Sequence, residues 1–191
     1  MKRCPWAITG GELMIQYHDT EWGVPVHDDR KHFEFLVLEA FQAGLSWLTV
    51  LKKRGNFAAA FADFDPAVIA EFDDKAIEKL LNDAGIIRNR LKITATINNA
   101  RRFLEVQQEY GSFDRYLWGF VANQPMVGGR QTMEQLPART ELSDQVSANL
   151  KQRGFKFVGS TIVYAHLQAV GIVNDHLVDC FRFPKLAHQP Q

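Results

Sequence analysis

The sequence is poor in cysteine. Its two residues, Cys4 and Cys180, stand at opposite ends of the chain and cannot form a disulfide framework. In a reducing compartment such thiols are free or metal-bound. No apolar run approaches the roughly 18 residues of a membrane span. The opening Met1-Lys2-Arg3-Cys4-Pro5-Trp6 contains no apolar signal core, which points to a cytoplasmic, non-membrane protein. An excess of one charge is also lacking: 22 basic residues balance 22 acidic ones, which excludes a strongly basic nucleic-acid binder but not a locally basic one. Period-2 alternation, internal repeats and low-complexity tracts are missing too, so neither a sheet protein nor a solenoid is indicated. What remains is 191 residues with 46% hydrophobic and 23% charged content, enough for one domain or two small helical lobes with a buried core.

Charge is distributed unevenly. Residues 1 to 48 hold four basic groups (Lys2, Arg3, Arg30, Lys31) against seven acids, whereas residues 85 to 102 hold Arg88, Arg90, Lys92, Arg101 and Arg102 and no acid. A smaller basic group is Lys151, Arg153 and Lys156. The middle of the chain is therefore the part suited to a polyanion.

Apolar residues recur at three and four, and the spacing predicts an all-α chain. The clearest helix covers 29–43, where Phe33, Leu36, Val37, Ala40 and Phe41 share a stripe while Phe35 and Leu38 cover other sides, so that this helix should be central. Further helices are expected over Ser46–Arg54, from Pro66 behind an Asp65 cap, from Asp73 to a Gly85 C-cap, over Arg88–Gln108, and from Ser112 to Phe120. Pro125, Gly128, Gly129 and Pro137 mark 123–142 as a long loop and a candidate lobe junction. Helices then follow from Thr140 or Ser143 to Gly154 and from Ser160 towards Gly171, with a last helical turn over Asn174–Cys180 and a frayed tail from Pro184 to Gln191.

Three constellations carry chemistry. His176 and Cys180 are four apart, one face of a helix, and Cys4 and His18 would complete a Cys₂His₂ set suited to structural zinc pinning the two ends together. Asp19 and Asp179 lie beside these ligands as possible outer partners. The spacing is not a zinc-finger pattern, and the plainer reading is two buried free thiols and two ordinary surface histidines. Secondly, Glu39 sits in Leu36-Val37-Leu38-Glu39-Ala40-Phe41, and a carboxylate inside an apolar helix is costly unless it is paired or has a task. With Trp47 eight residues on and Trp6, Tyr17 and Trp22 upstream, it would suit a flat ligand with amino donors, such as a purine. The alternative is an internal ion pair within an aromatic core. Thirdly, Leu80-Leu81-Asn82-Asp83-Ala84-Gly85-Ile86-Ile87-Arg88-Asn89-Arg90-Leu91-Lys92-Ile93 reads as helix, glycine turn, basic helix. Around 73–108 this could form a helix-hairpin-helix, with Gly85 and Ile87 offering backbone groups to phosphate and Arg88, Arg90 and Lys92 adding charge. The plainer reading is a helical corner with a solvated basic face.

Taken together, Arg3-Cys4-Pro5-Trp6, Tyr17-His18-Asp19-Thr20-Glu21-Trp22-Gly23-Val24-Pro25, Leu38-Glu39-Ala40-Phe41-Gln42-Ala43-Gly44-Leu45-Ser46-Trp47, Asp83-Ala84-Gly85-Ile86-Ile87-Arg88, Arg153-Gly154-Phe155-Lys156-Phe157-Val158-Gly159 and Gly171-Ile172-Val173-Asn174-Asp175-His176 resemble the 3-methyladenine DNA glycosylase I family over nearly the whole chain. The resemblance implies the helical fold of the helix-hairpin-helix glycosylase superfamily and structural Zn²⁺ on Cys4, His18, His176 and Cys180. It also implies a methylated base recognised by Glu39 between Tyr17, Trp47, Trp6 and Trp22. The implied partner is double-stranded DNA containing alkylated adenine, the implied product is free 3-methyladenine, and a monomer is expected. Met14 departs from the aromatic many members carry there. Leu45 is a candidate wedge into the duplex. Asp114 reads as a helix N-cap or first-turn acid and not as a catalytic one, so catalysis is assigned chiefly to Glu39 and its aromatics. No Lys stands at the hairpin as a Schiff-base nucleophile, so a monofunctional enzyme is expected. The competing classes are a non-catalytic zinc-stabilised lesion-binding module and a hydrolase of free nucleosides.

Overall fold

A computed structural model of the chain describes residues 1–187. It is mostly helical. Two short helices that the spacing did not predict open the chain, α1 (Pro5–Thr9) and α2 (Glu12–Thr20), separated by Gly10 and Gly11. Then follow α3 (Asp29–Gln42), α4 (Trp47–Ala60), α5 (Pro66–Ala70), α6 (Asp74–Asn82), α7 (Arg90–Tyr110), α8 (Phe113–Gly119), α9 (Glu141–Gln152), α10 (Ser160–Ala169) and α11 (Phe183–Ala187). Local chemistry sets most starts: the side chains of Asp28, Ser46, Asp65, Asp73, Asn89, Ser112 and Thr140 each accept from a first-turn N–H.

α3 is central, as its all-round apolar sequence requires. Phe33, Phe35, Leu36, Val37, Leu38 and Phe41 are all buried, packed among α4, α7, α8 and α10. Aromatic stacking fills the space around it: Phe33 meets Phe103 edge-on, and Phe103 stacks on Phe113 with centroids 4.2 Å apart.

Four expectations need correction. α6 stops at Asn82, not at Gly85, because the Asp83 side chain accepts the Gly85 N–H at 2.7 Å and turns the chain early. α7 starts at Arg90, which leaves Arg88 in the connection. Residues 174–180 are not helical. Val173–Asn174 form a short strand, β2, parallel to β1 (Met126–Val127), and the Asn174 side chain accepts the His176 N–H at 3.3 Å. The chain is therefore mostly, not entirely, helical, and part of the 123–142 loop is tied to the C-terminal segment. Finally, Phe183–Ala187 is helical where a frayed tail was expected. Residues 188–191 of that tail lie outside the described residues.

Candidate functional site

The two ends of the chain meet beside α2. Cys4, His18, His176 and Cys180 are all buried, and one ligand atom from each lies within 4.8 Å of the others. Cys180 Sγ is 3.4 Å from His18 Nε2 and 3.5 Å from His176 Nδ1, and Cys4 Sγ is 3.7 Å from His176 Nδ1. A tetrahedral ion with bonds of about 2.0–2.3 Å has ligand–ligand edges of roughly 3.3–3.8 Å. These three edges match that geometry, although His176 and Cys180 lie on a turn and not on a helix.

The electrostatics match as well. Burial holds the His176 imidazole down near a pKa of about 4 and lowers that of His18, so both rings are neutral and free to ligate. Burial pushes the Cys4 thiol up to about 12, which a cation would reverse. The second nitrogen of each ring is already held, His18 Nδ1 by Asp19 at 2.7 Å and His176 Nε2 by the Trp22 carbonyl at 2.9 Å. Asp19 in turn takes the Arg3 guanidinium, whereas Asp179 faces Lys2 and is not an outer partner of a ligand. Gly23, at φ +79°, lies so close that a Cβ would meet the His176 ring at 3.1 Å.

Trp22 links this cluster to a cavity of about 300 Å³ lined by Trp6, Met14, Tyr17, Glu39, Gln42, Trp47, Met133, Leu136, Ala165 and Gln168 as well as Trp22 itself. The four predicted aromatics come together here. Trp6 meets Trp22 edge-on at 5.0 Å between centroids, and Tyr17 is 5.3 Å from Trp47. Trp47 is placed by the turn after α3, where Gly44 takes φ +80° and Ser46 caps α4. Behind Trp22, Arg54 of α4 makes a bidentate pair with Glu21 and a 2.6 Å bond to Glu34, which fixes this wall to α3 and α4.

Glu39 is 4% exposed and has no hydrogen-bond partner among the described residues. Desolvation raises its pKa to about 8, and burial, with Glu39 adding to it, pushes the Tyr17 phenol upward. Trp47 Nε1 is likewise buried without a partner. Sequence reasoning missed Gln42, Met133, Leu136, Ala165 and Gln168. Only Gln42 carried a local signal, three residues after Glu39 on the same helix. A larger open groove, about 530 Å³ between α4 and α6, is lined by Ala59, Ala60, Phe72, Ala76, Lys79, Leu80, Asn82 and Asp83. Among the described residues it holds no buried ionisable group and only one aromatic ring, so we place the candidate site at the smaller cavity.

The basic stretch is less free than its sequence suggests. Lys92 is 7% exposed and donates to the carbonyls of Phe41 and Ala43 at 2.8 and 2.6 Å, capping the end of α3. It therefore does not face a phosphate, contrary to expectation: its position in the first turns of α7 points it at the α3 terminus. Arg90 pairs with Glu78, Arg102 with Glu105, and Arg101 donates to the Ala70 carbonyl. Arg153 pairs with Glu109. Arg88 is exposed, and among the described residues it has no partner. Gly85 turns its carbonyl to Lys53 and Asn56, and the N–H groups of Ile87 and Arg88 are unpaired among the described residues. Leu45 is 42% exposed beside Trp47. Asp114 is in the first turn of α8 and holds His27 and His32, each at 3.1 Å.

Residues 6–183 match the family model described as methyladenine glycosylase. The chain is 50% identical over 184 residues to DNA-3-methyladenine glycosylase 1 of Escherichia coli strain K12, covering 96% of this chain and 98% of that one. A crystal structure of 3-methyladenine DNA glycosylase I superposes with a TM-score of 0.91 at 49% identity, covering 94% of this chain and 98% of the other. A tyrosine-to-phenylalanine variant of a 3-methyladenine DNA glycosylase I, solved in complex with 3-methyladenine, gives 0.91 at 36% identity, covering 96% and 98%.

Proposed function

Because the chain belongs to the methyladenine glycosylase family, we propose that it releases 3-methyladenine from alkylated double-stranded DNA by hydrolysing the N-glycosidic bond without cutting the strand. The observation that carries this reading is Glu39, a buried acid without a protein partner, in a cavity walled by four aromatic side chains.

Methylation at N3 makes adenine cationic and weakens its bond to the sugar. The leaving group is already good, so the protein's task is to extrude the nucleotide, hold the cation and admit water. Extrusion costs a few kcal/mol and is cheaper for a damaged base. Stacking on Trp47 and Tyr17 returns about 1–3 kcal/mol. Glu39 accepts from the base and, once ionised, offsets its charge. Because desolvation raises its pKa to about 8, the carboxylate gains its counter-charge from the cationic base and not from the protein. Water attacks C1′ as the C–N bond breaks; the base leaves neutral with the bonding electrons, and the water proton passes to solvent. Met14 gives one face of the pocket a flexible thioether in place of a ring.

Cys4, His18, His176 and Cys180 would hold Zn²⁺ with no open position, so that the ion supplies structure and not chemistry. The segment from α6 to α7 acts as a helix-hairpin-helix: the free N–H groups of Ile87 and Arg88 face a phosphate beside the Arg88 side chain, and Arg90 joins them when Glu78 releases it. Leu45, exposed next to Trp47, fills the gap left in the duplex.

The test is incubation with methylated duplex and chromatography of the released bases. Free 3-methyladenine and an intact strand with an abasic site are expected. Lesion binding without base release would replace this reading with that of a binding module.

A further inference from the structure

We infer that Gln168 is a specificity-determining residue of this pocket, its side-chain oxygen accepting from the amino group at C6 of the extruded base, with Asp175 as the residue that positions it; the inference rests on the methyladenine reading. Gln168 lies near the end of α10, one turn after Ala165, and both line the cavity. Its Nε2 donates to Asp175 Oδ2 at 2.8 Å, and the Tyr164 hydroxyl donates to the same oxygen. Asp175 is 1% exposed. Asp175 Oδ2 accepts both bonds, so the end of the Gln168 amide that faces it is the donor end: the nitrogen is spent there, and the oxygen is directed elsewhere. That oxygen has no partner among the described residues. The main chain is held too, since the Gln168 carbonyl accepts the Gly23 N–H at 3.1 Å, next to the Trp22 wall.

A glutamine free to flip would serve an amino group and a carbonyl oxygen equally well. This one is locked as an acceptor. Toward a neutral free base Glu39 cannot make that distinction alone, because a carboxyl whose pKa desolvation raises to about 8 can donate when protonated and accept when ionised. The chain Tyr164–Asp175–Gln168 therefore supplies the element that favours a 6-amino over a 6-oxo purine, by leaving a 6-oxo group facing an acceptor.

The test compares binding of two free bases, 3-methyladenine and 3-methylhypoxanthine, followed by tryptophan fluorescence in the wild-type protein, Gln168→Met and Glu39→Gln. The wild type should prefer the amino base. Gln168→Met should lose roughly tenfold of that preference, the worth of one buried hydrogen bond. Glu39→Gln should bind both bases more weakly yet retain a preference for the amino base. A preference in Gln168→Met within twofold of wild type, whatever its thermal midpoint, would show that Gln168 only props Asp175 and would overturn the inference. If Gln168→Met does not fold, Glu39→Gln decides: equal binding of the two bases would make Glu39 the sole source of selectivity and overturn it. A wild-type protein that binds neither base fails at the methyladenine reading itself, a distinguishable result that removes this inference with it.

Discussion

The four-residue Cys/His cluster and the aromatic pocket share a wall at Trp22 and are built on opposite rules. In the cluster, both imidazoles have their second nitrogen held, by Asp19 and by the Trp22 carbonyl, and the ligand atoms converge on one point. In the pocket, among the described residues, the 4% exposed Glu39 takes no protein hydrogen bond and Trp47 Nε1 is buried without a partner. Buried polar groups are normally satisfied, and each exception costs stability. The first region is complete within its own chain once a cation is added. The second is incomplete until something from outside arrives. On the proposed reading, one stabilises the fold and the other gives up stability to bind.

The largest break in this comparison is at the cluster. Cys180→Ser should abolish stoichiometric zinc by mass spectrometry and lower the thermal midpoint by roughly 10 °C or more, since a structural metal contributes several kcal/mol. Retention of one zinc per chain with an unchanged midpoint would remove the cluster from the fold's support.

Next is the effect of Glu39 on stability. Its folded pKa, about 8, lies above the ordinary carboxylate value of 4.5. The folded state holds this proton more tightly, so the stability associated with Glu39 is present below pH 4.5 and lost as pH rises to about 8. Denaturant titrations of Glu39→Gln should therefore show a gain over wild type that grows by roughly 3–5 kcal/mol between pH 4.5 and 8.5. A pH-independent difference would mean that Glu39 is ionised and paired in the free protein.

Trp47→Ala should weaken 3-methyladenine binding by about 1–3 kcal/mol with little change in zinc content, because stacking and ligation draw on separate residues. Isothermal titration alongside metal analysis checks both. The smallest effect lies outside the two regions. Arg88→Ala should lower the salt slope of DNA binding by about one, as expected for one lost phosphate contact. Lys92→Met should leave the slope unchanged and cost stability, since its ammonium caps α3. Equal slopes for wild type and Arg88→Ala would take the hairpin out of the DNA-binding surface.

Much of this was legible locally. Asp65-Pro66, Asp73 and Ser112 announced their helices, and an acid set in an apolar stripe announced Glu39. Other features were decided by tertiary context. The helix expected over 174–180 is replaced by a short strand at Val173–Asn174, paired with Met126–Val127, and a turn after it, and the ligands still converge. Lys92 counts as one more positive charge in the sequence, and only the packing of α7 against α3 shows that it is spent inside. Met133, Leu136 and Gln168 reach the cavity from segments more than 80 residues beyond Trp47, and no local pattern marks them. The short helices α1 and α2 lie beside glycines, prolines and metal-type residues, whose signals hid the helical period.

The most direct test of an unpaired acid awaiting a cationic base is the single-turnover rate of 3-methyladenine release from duplex DNA, measured from pH 5.5 to 9 for wild type and Glu39→Gln. The wild-type second-order rate should rise with pH and level off near 8, as Glu39 of the free protein ionises. Glu39→Gln should be slower by roughly 10²-fold at the plateau and flat with pH. A variant that matches wild type in rate and in pH profile would show that the base is held without this carboxylate.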